Sequence, residues 1–172
     1  MRKELFAGLV LPPLTEASPG ADDALLAALG PEFERATRRR LGRSLAIREV
    51  DAGSCNGCEL EIHALGNAFY DLERFGIRFV ASPRHADLLL VTGPVTRHMR
   101  EALERTWTAV PAPKWVVAAG NCACDGGLFQ ESPACLGGVD AILKADLRIK
   151  GCPPRPVELL RGLLTLLEAA QR

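Results

Sequence analysis

Short apolar runs recur along the chain, separated by stretches whose apolar residues return at helical spacing. Residues 44–50 (SLAIREV) place Leu45 and Ile47 on one side, with Val50 as the next apolar position, which predicts a strand. Residues 59–76 carry Leu60, Ala64, Ala68, Leu72 and Phe75 at helical spacing, and Gly76 is suited to end that helix. Residues 77–82 read as a strand. Residues 86–93 and 114–122 are continuous apolar runs, the pattern of strands covered on both faces. Residues 96–110 predict a helix. Residues 140–152 predict a short helix and then a strand. Residues 154–172 predict a long helix, with prolines at its start and leucines at 159, 160, 163, 164 and 167. Alternation of strands and helices predicts an α/β domain with a mostly parallel sheet covered on both faces.

Residues 1–43 break this rhythm. They hold Pro12, Pro13, Pro19, Gly20, Gly30 and Pro31 around two helical candidates, 21–29 and 31–43. The expected division is an N-terminal arm over 1–43, partly ordered or packed on a partner, and one domain over 44–172. Lys and Arg (21) balance Asp and Glu (21), which speaks against nucleic-acid binding. The longest apolar runs, 88–91 and 115–119, are far too short to span a bilayer. The N-terminus lacks the apolar core and cleavage site of a secretory leader, and no apolar segment follows Arg38-Arg39-Arg40. A cytoplasmic location is therefore expected. In a reducing compartment the six cysteines are metal ligands or free thiols rather than disulfides.

In parallel sheets the loops leaving the carboxyl ends of strands carry function. Three such loops hold cysteine: Cys55 and Cys58 in the first, Cys122 and Cys124 in the second, Cys152 in the third; residues 92–96 form a fourth loop. Taken alone, the CxxC at 55–58 could be a redox dithiol, half of a zinc site, two ligands of an iron–sulfur cluster, or two buried thiols. Convergence of three loops offers four thiolates, the ligand set of a 4Fe–4S cluster and of structural zinc. Glycines crowd all three loops, and proline follows Cys152, as in many cluster-binding loops. Zinc ribbons more often use two CxxC knuckles close together. A redox dithiol would leave Cys152 without a role. Cys124 is a possible substitute for Cys122, and Cys135 is expected to be a small buried residue. Glu59 and Glu61 fit a proton path or a partner interface. They also fit a helix start, where acids suit the positive end of the dipole. His63, His85 and His98 are expected at the surface, and the basic run at 38–43 on a solvated helix face.

GSCNGCELEI (53–62), GNC with a following GG (120–127) and GCPPRP (151–156) together resemble the small, cluster-carrying subunit shared by energy-converting NiFe hydrogenases and respiratory complex I. RFGIRFVASPRHADLLLVTGPVT (74–96) shares the likeness, which runs from residue 44 to about 165. Complex I members are expected to carry adjacent cysteines in the first loop, so CNGC resembles the hydrogenase type, in particular formate-hydrogenlyase complexes. The resemblance implies a flavodoxin-like three-layer fold with one 4Fe–4S cluster at the carboxyl ends of the strands, held by Cys55, Cys58, Cys122 and Cys152. Cys124 departs from the family pattern. The chain ends soon after Cys152, so one cluster is expected. The implied role is electron transfer between a large, NiFe-bearing or NiFe-derived subunit and a ferredoxin-like two-cluster subunit. Membrane subunits would be met indirectly, and no catalytic residue is expected on this chain. A quinone-reducing, complex I-like assembly without nickel is the alternative, and a zinc-stabilised structural subunit a lesser one.

Overall fold

The computed structural model describes residues 21–169; the expectations for residues 1–20 and 170–172 lie outside them. Five strands form one sheet: β1 (Leu45–Asp51), β2 (Ile77–Phe79), β3 (Leu88–Thr92), β4 (Trp115–Ala119) and β5 (Leu147–Ile149). Every pairing is parallel and the order is β2-β1-β3-β4-β5. That is the doubly wound, flavodoxin-like order. The chain goes from β1 outward to β2, then returns past β1 to β3. The direction of winding therefore reverses between β1 and β3, where such sheets open a crevice at their carboxyl edge.

Alternate strand residues feed two apolar layers. Leu45, Ile47, Leu88, Leu90, Val117 and Ile149 pack on one face with helices α1 (Ala21–Leu41), α2 (Gly57–Ala64) and α5 (Pro156–Ala169). Val50, Leu89, Val91, Val116 and Ala118 pack on the other with Leu103 of α3 (Arg100–Ala109) and Ala123 of α4 (Asn121–Asp125). β3 and β4 are buried along their whole length, as continuous apolar runs require. At the amino edge, the buried Asp87 carboxylate accepts the Ala46 N–H at 2.9 Å and both Arg43 terminal nitrogens, tying β1 to β3.

Several elements differ from expectation. The two helical candidates at 21–29 and 31–43 are one helix, with Pro31 inside it. Pro31 has no N–H to complete the ladder, yet packing carries α1 across it: Gly30 lies against the Phe75 ring and Leu29 and Phe33 are buried. Leu26, Leu29, Phe33 and Ala36 join the same apolar layer as α5. The helix expected over 59–76 ends at Ala64. Asn67 Oδ1 accepts the N–H groups of Phe69 (2.8 Å) and Tyr70 (2.9 Å), a local turn that competes with helix. A 3-10 turn, Leu72–Phe75, then leads to Gly76 in the left-handed region. Residues 97–99 are a turn before α3, and α4 is a short helix in what reads as a loop.

Candidate metal centre

The cysteine loops all leave the carboxyl edge of the sheet. The first follows β1, and its shape begins with Asp51, whose Oδ1 accepts the N–H groups of Gly53 (2.7 Å) and Ser54 (2.6 Å). The loop after β3 supports it from beside. Thr96 donates its N–H (2.9 Å) and its hydroxyl (3.1 Å) to the Ala52 carbonyl, and the Gly93 backbone lies against Ser54. Cys55 is exposed on this loop, and Cys58 is half-buried in the first turn of α2. Cys122 is half-buried in α4, directly beyond β4. Cys152 is exposed beyond β5 and is joined to Pro153 by a cis peptide.

Two glycines let these thiols lie against the backbone. Gly120 has φ +91°, and a Cβ there would stand 2.5 Å from Cys58 Sγ. Gly127 has φ +51°, and its Cβ would stand 2.8 Å from Cys122 Sγ. Neither position accepts a larger side chain without displacing a thiol. Burial pushes the Cys58 thiol up to about 12, with Glu59 and then Cys122, Cys55 and Cys152 adding to it. Burial and then the Cys152 thiol raise Cys122 also, opposed by an N–H···S hydrogen bond from the Leu128 backbone. Cys55, Cys58, Cys122 and Cys152 therefore lie within electrostatic reach of one another. Four thiolates so placed repel each other and call for a compensating cationic centre. Among the described residues, no three His, Cys, Asp or Glu side chains draw together on a single-ion position.

Cys124 is only two residues from Cys122 but points elsewhere. It is buried in the second apolar layer, with Sγ 3.8 Å from the carbonyls of both Ala118 and Ile149. Burial raises its thiol, and the charges that act on it are Asp125, Lys150, Arg148 and Asp140. A single turn of α4 sends two neighbouring thiols to opposite sides, one to the site and one to the core. Cys135 is half-buried rather than buried, because its strand-like bridge to Thr96 holds it at the edge of the loops. His63, His85 and His98 are all exposed.

Glu59 and Glu61 separate. Glu61 is half-exposed, whereas Glu59 is 7% exposed, and neither of its carboxylate oxygens has a hydrogen-bond partner. Glu49 on β1 lies behind it, with Oε1 also buried and unpartnered. Burial and then Glu59 raise the Glu49 carboxyl, while His63 pulls it down. Glu49, Asp51, Asn121 and Asp125 are parts of the site not singled out from the sequence. Asp51-Ala52-Gly53 and Asp125-Gly126-Gly127 carry a readable signal, an Asp two residues before Gly. In both, the carboxylate takes the glycine N–H, at 2.7 and 2.9 Å.

Known proteins resemble this chain over most of its length. The chain is 47% identical over 128 residues to a probable membrane-bound hydrogenase subunit of Pyrococcus furiosus, a match covering 74% of this chain and 77% of that one. It is 46% identical over 129 residues to formate hydrogenlyase subunit 7 of Escherichia coli, covering 75% of this chain and 51% of that longer protein. Among solved structures, it matches a chain of the membrane-bound sulfane sulfur reductase, an archaeal respiratory membrane complex, with TM-score 0.66 and 37% identity, over 80% of this chain and 74% of the other. The family profile described as NADH ubiquinone oxidoreductase, 20 kDa subunit, matches residues 55–166 and so spans all four of the converging thiols. By that match the chain belongs to the family of the 20 kDa subunit of NADH ubiquinone oxidoreductase.

Proposed function

We propose that Cys55, Cys58, Cys122 and Cys152 hold a single 4Fe–4S cluster, and that the chain is the electron-transfer subunit of a membrane-associated NiFe hydrogenase complex. The observation that supports this reading is that three separate loops at the carboxyl edge of the sheet carry four thiols, three of which raise the thiol of the fourth, Cys58, with two of the four against glycine backbone. An all-thiol set fits iron–sulfur chemistry. The absence of a single-ion focus among the described residues is compatible with a wider inorganic core. When bound, such a cluster supplies a one-electron carrier. The chain's own groups do the rest. Cys58, with its thiol pushed up to about 12, gives up its proton on ligation. The Leu128 N–H donates to Cys122 Sγ, which stabilises negative charge on that sulfur. Cys55 and Cys152 form the exposed side of the site and face a partner. That partner is a large hydrogenase-like subunit bearing the catalytic metals, and a ferredoxin-like two-cluster subunit completes the relay. No helix among the described residues is long and apolar enough to cross a membrane. Attachment to the inner membrane, on its cytoplasmic side, then runs through partner subunits.

The test is anaerobic purification with iron and sulfide analysis and electron paramagnetic resonance after reduction. About four irons and four sulfides per chain, with a reduced 4Fe–4S signal, are expected. One zinc and no iron would place the chain among structural subunits instead. The likeness to a subunit of a sulfane sulfur reductase supports a second reading, in which the same relay serves a hydrogenase-related or quinone-reducing assembly without nickel. Nickel in the copurified large subunit, with hydrogen evolution or uptake, decides for the first reading; an iron-loaded relay without nickel decides for the second.

A further inference from the structure

We propose that Asn121 is a positioning residue that locks the second and third cysteine loops together and so sets the placement of Cys122 relative to Cys152. The inference rests on the cluster reading above. The β4–β5 ladder runs through Val117–Leu147, Ala118–Arg148 and Ala119–Ile149. One more backbone bond follows, from Gly120 N–H to the Ile149 carbonyl at 2.8 Å. Beyond it the strands part, β4 into α4 and β5 into Pro153-Pro154. Two thiols that must meet the same centre are thus carried by segments without a regular ladder between them.

Asn121 closes that gap with two hydrogen bonds to one residue. Its N–H donates to the Gly151 carbonyl at 2.8 Å, and its Oδ1 accepts the Gly151 N–H at 2.9 Å. The side-chain carbonyl stands in for the strand carbonyl that a further rung would have supplied. The clamp joins residue 121 to residue 151, and each is directly followed by a cysteine of the site. One peptide unit on either side separates the clamp from Cys122 and Cys152, so little slack remains. The preceding residue, Gly120, carries Cys58 Sγ against its Cα, so the same segment registers a third thiol.

The requirement at position 121 is an acceptor oxygen at the reach of an Asn or Asp side chain. Alanine leaves the Gly151 N–H without a partner in a part-buried place, at a cost of about 1–3 kcal/mol. Aspartate keeps the acceptor. The fold has other anchors nearby: the Ala119–Ile149 rung, the Gly126 N–H to the Cys122 carbonyl at 2.9 Å, and the Asp140–Arg148 pair. Loss of the clamp should therefore loosen the site rather than unfold the domain.

The test compares wild type, N121A and N121D in the full chain, purified anaerobically with its accompanying subunits. Amide hydrogen exchange at Gly151 reads the clamp whether or not a cluster is bound. It should be slow in wild type and N121D, and about tenfold or more faster in N121A. Iron release to a chelator should likewise be about tenfold faster in N121A and within about twofold of wild type in N121D. The resonance line shape of the reduced cluster should change in N121A, a signature that a purely fold-stabilising residue would leave alone. N121A with wild-type exchange, iron release and line shape overturns the proposal, and so does N121D as defective as N121A. If wild type itself lacks iron and sulfide, the cluster reading falls, and Gly151 exchange still decides the clamp.

Discussion

Cys122 and Cys124 pose one question at the residue scale: which thiol of the NCACD turn belongs to the centre. Cys122 is coupled to Cys152 and Cys55, while Cys124 is packed between the Ala118 and Ile149 carbonyls. Cys122→Ser should therefore abolish most of the iron, whereas Cys124→Ala should keep full iron content and cost only about 1 kcal/mol of stability. Iron per chain in the two variants checks this, and equal loss in both would contradict the geometry. Glu49 gives a prediction in pH. Burial and Glu59 disfavour its charged form, with Asp51 adding to the effect and His63 and Arg48 opposing it, so its folded value lies above the ordinary 4.5. As pH rises, the unfolded carboxyl ionises first, and stability is lost as the pH climbs through the folded value. Glu49→Gln should then raise Tm by roughly 1–4 °C near pH 8. That gain should vanish below about pH 4, where the carboxyl is protonated in both states. Thermal scans of the two proteins across that range read it directly.

At the scale of elements, α1 shows how tertiary packing overrides local signals. Gly30-Pro31 reads as a break, and by propensity it should be one, yet α1 passes through it because its apolar side is covered by α5 and the Leu72–Phe75 turn. Phe33, 1% exposed, is the centre of that contact. Phe33→Ala should cost about 3–4 kcal/mol in urea unfolding, the range for deleting a buried ring. Iron content of the folded fraction should be unchanged, since Phe33 belongs to the apolar layer of α1 and α5 and not to the cysteine loops. The strands were legible because β3 and β4 are continuous apolar runs and must be central. The end of α2 was not, because the Asn67 side chain, rather than apolar spacing, stops it. That the three cysteine loops leave one edge was legible from loop placement, since α/β winding brings the carboxyl ends of β1, β4 and β5 to one side. The side to which Cys124 turns depends on the short helix α4, and no periodicity announces five residues. The burial of Glu59 beside the half-buried Glu49 was equally hidden. Glu59 and Glu61 at a helix start look alike in sequence, and only packing separates the buried Glu59 from the half-exposed Glu61.

For the whole molecule, positive and negative side chains balance, so the exposed apolar side chains are what mark out one part of the surface. The exposed large apolar side chains include Leu60 and Leu128, at 64% and 89% exposed, with Phe129 beside Leu128. Leu60 follows Cys58 by two positions. Leu128 follows Gly127, whose backbone lies against Cys122 Sγ. Leu128 is thus exposed on the segment that lies against Cys122 Sγ, and Leu60 is exposed on the helix that carries Cys58. Under the proposed function, a large partner subunit covers them, removes water from the exposed thiols Cys55 and Cys152, and lowers the dielectric around the centre. A side chain as exposed as Leu128 contributes almost nothing to the fold, so its value lies in what it meets. Leu128→Glu should leave iron content and Tm of the chain within error, because the backbone N–H that serves Cys122 is retained. It should weaken retention of the large subunit by about tenfold or more, through loss of a buried apolar contact and the burial of a charge. Copurification yield against iron content separates the two effects. Full retention of the partner would put the interface on another face of the sheet.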